Sequence, residues 1–135
     1  MKKSEYTRGK LAEKTGCNPE TIRYYEKEGL LQKAIRSHNG YRIYTETDAK
    51  RLRFILRCRE LGFSVLEIRS LLDLVDKKDY TCSDIRTITQ THIADVKEKI
   101  SDLKKIFKTL QEMSEKCRSN KGKDCPILDA LEKHG

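Results

Sequence analysis

Apolar residues recur along this chain with helical spacing, and glycines or capping residues interrupt the pattern at intervals. A first helix is predicted to end at Gly16, because glycine tolerates the left-handed conformation that closes many helices. Asn18 followed by Pro19 predicts the start of a second helix, which stops at Gly29. Two short helices joined by a tight turn within residues 7–29 predict a helix–turn–helix.

The segment 30–44 predicts a small β-hairpin. Asn39-Gly40 is a strong turn signal, because both residues accept a positive φ. The flanks of this turn are basic and aromatic. A basic hairpin that follows a helix–turn–helix is typical of a wing, which lies on the sugar–phosphate backbone of DNA.

Two further helices are predicted after the hairpin. Apolar residues at helical spacing predict a third helix over residues 47–61. Ser64 and Glu67 form a capping-box pattern, which predicts the start of a fourth helix. The polar segment 76–79 is expected to end this head.

A long helix is predicted next, since no glycine or proline occurs from Thr81 to Cys117. Thr81 and Asp84 make another capping-box pattern, which places Cys82 at the first helical position. Apolar residues within the helix alternate steps of three and four, as in a coiled coil: Ile93, Val96, Ile100, Leu103, Phe107 and Leu110. A helix of this length spans about 50 Å. That is too long to pack along a small head, so a dimerisation coiled coil is favoured over a helix packed on its own domain.

The two halves of the chain differ in net charge. Residues 1–60 hold 15 Lys and Arg against 8 Asp and Glu, whereas residues 61–135 hold 14 against 13. A positive field confined to the N-terminal half indicates a phosphate-backbone binder. No segment is apolar enough for a membrane span or a signal core, so we expect a soluble, cytoplasmic protein without a membrane partner.

Five cysteines, an odd number, argue against a disulfide framework. Cys117 and Cys125 bracket a short polar loop that lets two sulfurs approach one ion. Cys82 lies at the opposite end of the long helix, and one chain cannot bring it to that loop. An antiparallel pair of helices would place Cys82 of one subunit beside Cys117 and Cys125 of its partner, so three thiolates would form a soft metal site. Three unrelated packing or surface cysteines are the alternative.

The remaining candidate ligands are interpreted as structural. Cys17 lies in the turn between the first two helices, and Cys58 lies on the apolar face of the third helix. His92 and His134 are expected to face solvent. No C-x-x-C, Ser–His–Asp or paired-carboxylate arrangement occurs, so we predict that the chain is not an enzyme.

At this point the chain resembles the MerR family of metal-responsive transcription regulators. The resemblance rests on TIRYYEKEGLL at residues 21–31, Arg36, NGYRIY at 39–44, RFI at 53–55 and ELGF at 60–63. It implies a mainly α fold, in which a winged helix–turn–helix DNA-binding head precedes a long antiparallel coiled-coil dimerisation helix. The corresponding domains are a head at 1–75, a dimerisation helix at 81–117, and a metal-binding loop with a short helix at 118–135.

The resemblance also implies how the protein acts. The family binds double-stranded promoter DNA as a homodimer and distorts that DNA on binding metal, so that RNA polymerase starts transcription. The DNA contacts that it implies are Arg23, Tyr24, Arg36, Tyr41 and Arg42, and the metal ligands are Cys82, Cys117 and Cys125. With a cysteine at position 82, the chain resembles the members of the family that respond to divalent ions. We therefore expect a soft divalent ion: Cd, Pb, Hg or Zn. The alternatives are a copper(I)-type or a thiol- or redox-responsive regulator of the same family.

Overall fold

The computed structural model describes residues 5–119 and 125–133. The chain forms two compact units, which divide between Ile88 and Thr89. The described residues are mainly helical, with one small sheet. None of the described helices combines the length and the apolar character that a membrane crossing requires.

The first two helices form as the capping residues predict. Helix α1 is Arg8–Thr15, and Gly16 closes it with a φ of 77°. Helix α2 is Pro19–Lys27, and the Asn18 side chain caps it by accepting a hydrogen bond from the Thr21 backbone N–H. The predicted helix–turn–helix is therefore confirmed.

A three-stranded antiparallel sheet lies beside these helices. Its strands are β1 (Glu5–Tyr6), β2 (Ile35–Arg36) and β3 (Arg42–Thr45), in the order β1-β3-β2. The hairpin of β2 and β3, with the turn between them, is the wing. Strand β1 was missing from the sequence prediction, because two residues are too few to show an alternating pattern.

The wing turn differs from the predicted one. The Gly40 N–H donates to the Ser37 carbonyl at 2.9 Å, and the Ser37 N–H donates to the Tyr41 carbonyl at 2.7 Å. Gly40 has a φ of 81°, whereas Lys78 is the one non-glycine among the described residues with a positive φ. Asn39 therefore does not use the left-handed conformation that the sequence suggested, and the loop has three residues closed by a glycine.

Helices α3 (Glu46–Glu60) and α4 (Val65–Lys77) complete the head, which comprises β1 to α4. The predicted capping box at Ser64 and Glu67 is present, and a second one occurs at Thr45 and Asp48. The head buries one apolar core whose largest fully buried side chains are Leu11, Ile22, Leu30, Tyr44, Leu52, Ile55 and Ile68. Ile85 and Ile88 also pack against this core.

Helix α5 (Cys82–Ser119) has 38 residues, as the uninterrupted helical pattern predicts. Thr81 and Asp84 cap it reciprocally, through backbone-to-side-chain distances of 2.9 and 3.2 Å. A short helix α6 (Pro126–Lys133) follows. Much of the predicted apolar seam is exposed in this single chain: Ile93, Ile100, Leu103, Phe107 and Leu110.

Candidate functional site

Helix α2 presents one polar face to solvent. Ile22 and Tyr25 are buried against the core, which turns Arg23 and Tyr24 outward. Tyr24 is 48% exposed, and Arg23 pairs with Glu20 at 3.3 Å on the helix surface. An exposed ion pair of this kind is weak, so the Arg23 guanidinium is available to a phosphate or a base edge.

The wing carries the other three sequence-predicted DNA contacts. Arg36 and Arg42 are paired opposite each other between β2 and β3, and Tyr41 is 69% exposed at the turn. Like charges directly across a ladder destabilise a hairpin. Two like charges at one rung of the hairpin therefore favour binding of an anion to the wing.

Arg42 is less free than the sequence suggested. Its guanidinium lies 3.3 Å from a carboxylate oxygen of Glu26, whose side chain is only 4% exposed. Glu26 was missing from the sequence-predicted site. A signal existed, because Glu26 follows Ile22 by four residues and therefore lies on the buried face of α2.

A basic cavity lies between α2 and the wing. It has a volume of about 310 Å³, and its lining is Arg8, Arg23, Glu26, Lys27, Lys33 and Arg42. Five of these six residues are cationic, and Lys27 and Lys33 are exposed. Sequence reasoning did not select Arg8 or Lys33, because they are distant from Arg23 in sequence and join it only when the head folds. It also did not select Lys27, although Lys27 follows Arg23 by four residues and therefore lies on the same face of α2.

The three candidate metal ligands lie at helix ends. Cys82 is exposed at the first position of α5, Cys117 is half-buried near the end of α5, and Cys125 immediately precedes α6. The Asp129 N–H donates to the Cys125 carbonyl at 3.0 Å, so Cys125 occupies the capping position of α6. Backbone N–H groups at such a position stabilise negative charge.

The metal-binding loop is only partly described, since residues 120–124 lie outside the described part of the chain. Within residues 5–119 and 125–133 of the single chain, no three His, Cys, Asp or Glu side chains converge on one point. The donor set itself fits a soft ion, because all three cysteines are free thiols.

The other cysteines lie within the head. Cys58 is buried in the core, and burial raises the pKa of its thiol, which opposes the thiolate that a metal requires. Cys17 is half-buried against the core, and its sulfur lies 3.4 Å from the Thr15 hydroxyl. These positions agree with structural roles. His92 is 5% exposed, so the expectation that it faces solvent was wrong, and His134 lies outside the described residues.

Comparison with known proteins agrees with this geometry. The family described as MerR HTH family regulatory protein matches residues 6–75, and the family described as MerR, DNA binding matches residues 49–113. The chain is 44% identical over 126 residues to the mercuric resistance operon regulatory protein of Bacillus cereus, covering 93% of this chain and 96% of that protein.

Two solved structures share the fold. The transcription regulator PbrR691 from Ralstonia metallidurans CH34, in complex with lead(II), matches with a TM-score of 0.78 and 35% identity, covering 93% of this chain and 98% of that one. HiNmlR, a MerR family regulator lacking the sensor domain and bound to promoter DNA, matches with a TM-score of 0.60 and 29% identity. The match covers 82% of this chain and 83% of that one. The chain therefore belongs to the MerR family of helix–turn–helix regulatory proteins, and it is a DNA-binding transcription regulator rather than an enzyme.

Proposed function

We propose that this regulator binds promoter DNA as a homodimer and activates transcription when a soft divalent metal ion binds to Cys82, Cys117 and Cys125. The observation that carries the proposal is the placement of these thiols at the two ends of α5 and at the start of α6. The likeness to a mercuric resistance regulator and to a regulator in complex with lead(II) supports a metal ligand.

Three thiolates suit a divalent ion better than two. Zn, Cd, Hg and Pb are bound well by soft sulfur donors, and a divalent ion prefers three or four donors. Cys82 and Cys117 are separated by 35 positions of one helix, which is about 50 Å along its axis. We therefore assign Cys82 to one subunit and Cys117 with Cys125 to the other.

The exposed side of α5 supports dimerisation. Leu103 is 63% exposed and Phe107 is 64% exposed in the single chain, and other apolar residues of the seam continue this surface. A contiguous apolar stripe of this kind favours burial against a partner. An antiparallel pairing of two α5 helices buries the stripe and places the start of one helix beside the end of the other. Residues 81–117 are thus assigned to dimerisation and residues 118–135 to the metal loop and short helix.

Residues 1–75, which make up most of the head, are assigned to promoter DNA. Arg23 and Tyr24 of α2 and Arg36, Tyr41 and Arg42 of the wing are the proposed contacts. In this proposal metal binding at the dimer ends changes how the two heads hold the duplex. The distorted promoter then becomes competent for RNA polymerase.

A copper(I)-type site is the second candidate. Cys117 and Cys125 are both half-buried and both belong to the second compact unit. Two thiolates suffice for a monovalent copper ion, and such a site needs no Cys82. A thiol- or redox-responsive regulator would use the same cysteines without a metal.

The test is a panel of Zn, Cd, Pb, Hg and Cu(I) measured by direct binding and by transcription in vitro from the protein's own promoter. We expect divalent ions to activate the native protein and Cys82→Ser to lose that response while retaining apo-protein DNA binding. Cys17→Ser is the matched control, since Cys17 lies outside the proposed ligand set. A normal divalent response in Cys82→Ser would favour the copper-type site, and a response to thiol oxidants alone would favour the redox alternative.

A further inference from the structure

Helix α2 carries the proposed DNA contacts Arg23 and Tyr24 and is therefore called the recognition helix. It contains one buried charged residue, Glu26. Its side chain is 4% exposed, although the helix is short and otherwise turns its charged residues to solvent. Burying a carboxylate is costly unless hydrogen bonds and opposite charges compensate for the lost water. The donors that surround Glu26 therefore indicate what the residue does.

Each carboxylate oxygen of Glu26 receives two hydrogen bonds. Oε1 accepts from the Tyr44 hydroxyl at 2.9 Å and from the Arg8 guanidinium at 3.4 Å. Oε2 accepts from the Arg42 guanidinium and from the Ala34 backbone N–H, both at 3.3 Å. Burial raises the pKa of Tyr44, so its hydroxyl stays protonated and keeps donating.

These donors come from different parts of the head. Arg8 belongs to α1, Ala34 belongs to the segment that enters the wing, and Tyr44 and Arg42 belong to β3. The carboxylate therefore joins α2 to both sides of the wing: to Ala34, which precedes β2, and to Arg42 and Tyr44 of β3. The Arg8 Nε also donates to the Tyr44 hydroxyl at 3.1 Å, which closes the network.

The same network borders the basic cavity. Arg42 is held by Glu26 on one side, and its side chain is still 35% exposed. Arg23, Lys27 and Lys33 line the cavity with it. Each cation near the DNA backbone raises the affinity for DNA, so a carboxylate beside these cations lowers that affinity through its charge alone. A role of Glu26 in DNA binding must therefore come from its hydrogen bonds.

We propose that Glu26 is a positioning residue for DNA binding, which fixes the wing against the recognition helix so that cations from both elements contact one stretch of the DNA backbone together. The proposal rests on the DNA-binding function of this chain. It adds a residue that does not itself contact DNA and that acts through Arg42 and the Ala34 N–H. Phosphate contacts that are fixed relative to one another determine the register of the protein on the duplex.

Two effects of the variant Glu26→Gln have opposite signs. Removal of one negative charge strengthens binding to any duplex through the electrostatic term. Loss of the ionic anchor frees the wing, which weakens operator binding, where register matters. The sign of the change on operator DNA therefore separates positioning from simple neutralisation.

The experiment compares the native dimer with Glu26→Gln on operator and on unrelated duplex of equal length, at several salt concentrations. We expect Glu26→Gln to weaken operator binding by about tenfold and to change binding to unrelated duplex by less than about threefold, since only operator binding depends on register. Glu13→Gln is the matched control, because Glu13 is an exposed acid of α1 that pairs with Lys10 at 3.9 Å. It makes the same charge change, and we expect both affinities to stay within about twofold of the native protein.

A coupling test shows whether Glu26 acts through Arg42. In the background of Arg42→Gln, the further change Glu26→Gln should cost clearly less than the roughly tenfold loss in the native protein, because one of the four donors to the carboxylate is already absent. If the losses of operator affinity from Arg42→Gln and Glu26→Gln were fully additive, Glu26 would not act through Arg42. Equal or tighter operator binding by a folded Glu26→Gln protein would overturn the positioning role itself.

Tyr44→Phe covers the case in which Glu26→Gln does not fold. It retains the buried ring and changes no charge, and it removes the 2.9 Å bond to Glu26. We expect a loss of about threefold on operator DNA, smaller than the loss for Glu26→Gln, because the other three donors to the carboxylate remain. Native operator affinity in a folded Tyr44→Phe protein would then overturn the proposal. If the native protein itself bound no operator, the assigned DNA-binding function would fail instead.

Discussion

At the scale of single residues, the two wing arginines have different surroundings. Arg36 is exposed at the edge of the hairpin, whereas Arg42 lies 3.3 Å from the buried carboxylate of Glu26. Among the described residues, no side-chain hydrogen bond or ion pair holds the Arg36 guanidinium, whereas Arg42 helps to compensate a buried charge. Equal substitutions at these positions should therefore have unequal effects on the fold.

We predict that Arg42→Ala lowers the free energy of unfolding by about 2 kcal/mol, because a buried carboxylate loses a charged donor. Arg36→Ala should change it by less than about 0.5 kcal/mol, as expected for an exposed side chain. Both variants should bind DNA less tightly. Urea denaturation of the two proteins checks the difference, and equal stabilities would contradict it.

The metal ligands give a second prediction at this scale, which tests whether the site joins two subunits. In a heterodimer of one Cys82→Ser chain and one Cys117→Ser chain, both losses fall at the same junction, which keeps Cys125 alone. The other junction keeps all three thiolates and should bind one divalent ion per dimer. Metal titration of purified heterodimers measures the stoichiometry. Complete loss of binding would exclude the cross-subunit site.

At the scale of elements, helix α5 carries an apolar stripe that its own chain leaves exposed. Leu103 lies in that stripe with 63% of its surface accessible. A charge introduced there costs little in a monomer, but it would be buried and unpaired in the proposed dimer. The position therefore distinguishes an interface from an ordinary helix surface.

We predict that Leu103→Asp dissociates the dimer at micromolar concentration, because an unpaired charge in the seam costs about 3–5 kcal/mol. Ser101→Asp is the control, since it adds the same charge to an exposed position of α5 that lies outside the stripe. Sedimentation of both variants and of the native protein measures the association state. A native protein that sediments as a monomer would refute the dimer.

Helices α3 and α4 are joined by a bidentate ion pair. The Arg51 guanidinium contacts both oxygens of Asp76, at 2.6 and 3.1 Å, and Arg51 also donates to the Leu30 carbonyl. Hydrogen bonds from Arg51 hold the pKa of Asp76 below its ordinary value of 3.8. The ionised form of Asp76 therefore stabilises the folded state. This contribution is fully present above pH 3.8, and it is lost as the pH falls through the lower pKa of Asp76 in the folded protein.

We predict that the urea midpoint of the native protein falls when the pH is lowered from about 6 to about 3, where carboxylates in ion pairs become protonated. Asp76→Asn should show a smaller fall, because it has no charge at position 76 to lose. Denaturation curves of the two proteins at both pH values check this. An identical pH dependence would show that the Asp76 ion pair contributes nothing.

At the scale of the whole molecule, positive charge is concentrated in the DNA-binding half. Residues 1–60 hold 15 Lys and Arg against 8 Asp and Glu. The basic cavity between α2 and the wing adds Lys27 and Lys33 to the cations that the sequence motifs indicate. Each cation that neutralises a phosphate releases counterions, so DNA affinity should fall steeply as salt increases.

We predict that Lys33→Gln reduces the slope of log affinity against log salt by about one, and that it weakens operator and unrelated DNA to a similar degree. Lys133→Gln is the control, because it makes the same charge change on α6, outside the head. Fluorescence titration at several salt concentrations gives the slopes. An unchanged slope for Lys33→Gln would remove Lys33 from the DNA contacts.

The local elements followed directly from the sequence. Asn18 caps α2, Ser64 and Glu67 cap α4, and Thr81 and Asp84 cap α5, as the sequence predicts. The turn at Gly16 also has the expected left-handed backbone. These features depend on hydrogen bonds between residues three or four positions apart, so the local sequence is sufficient to specify them.

Other features depend on contacts between residues that are distant in sequence. Glu26 is an ordinary helical glutamate in the sequence, and it becomes a buried anchor only because Arg8 and Tyr44, each 18 positions away, converge on it. Strand β1 forms because Tyr6 is paired with Tyr44. Local sequence patterns were enough to predict the helices, the wing hairpin and the family. Contacts between distant residues decided which charges are buried and which remain free for DNA, because burial depends on the packing of whole elements.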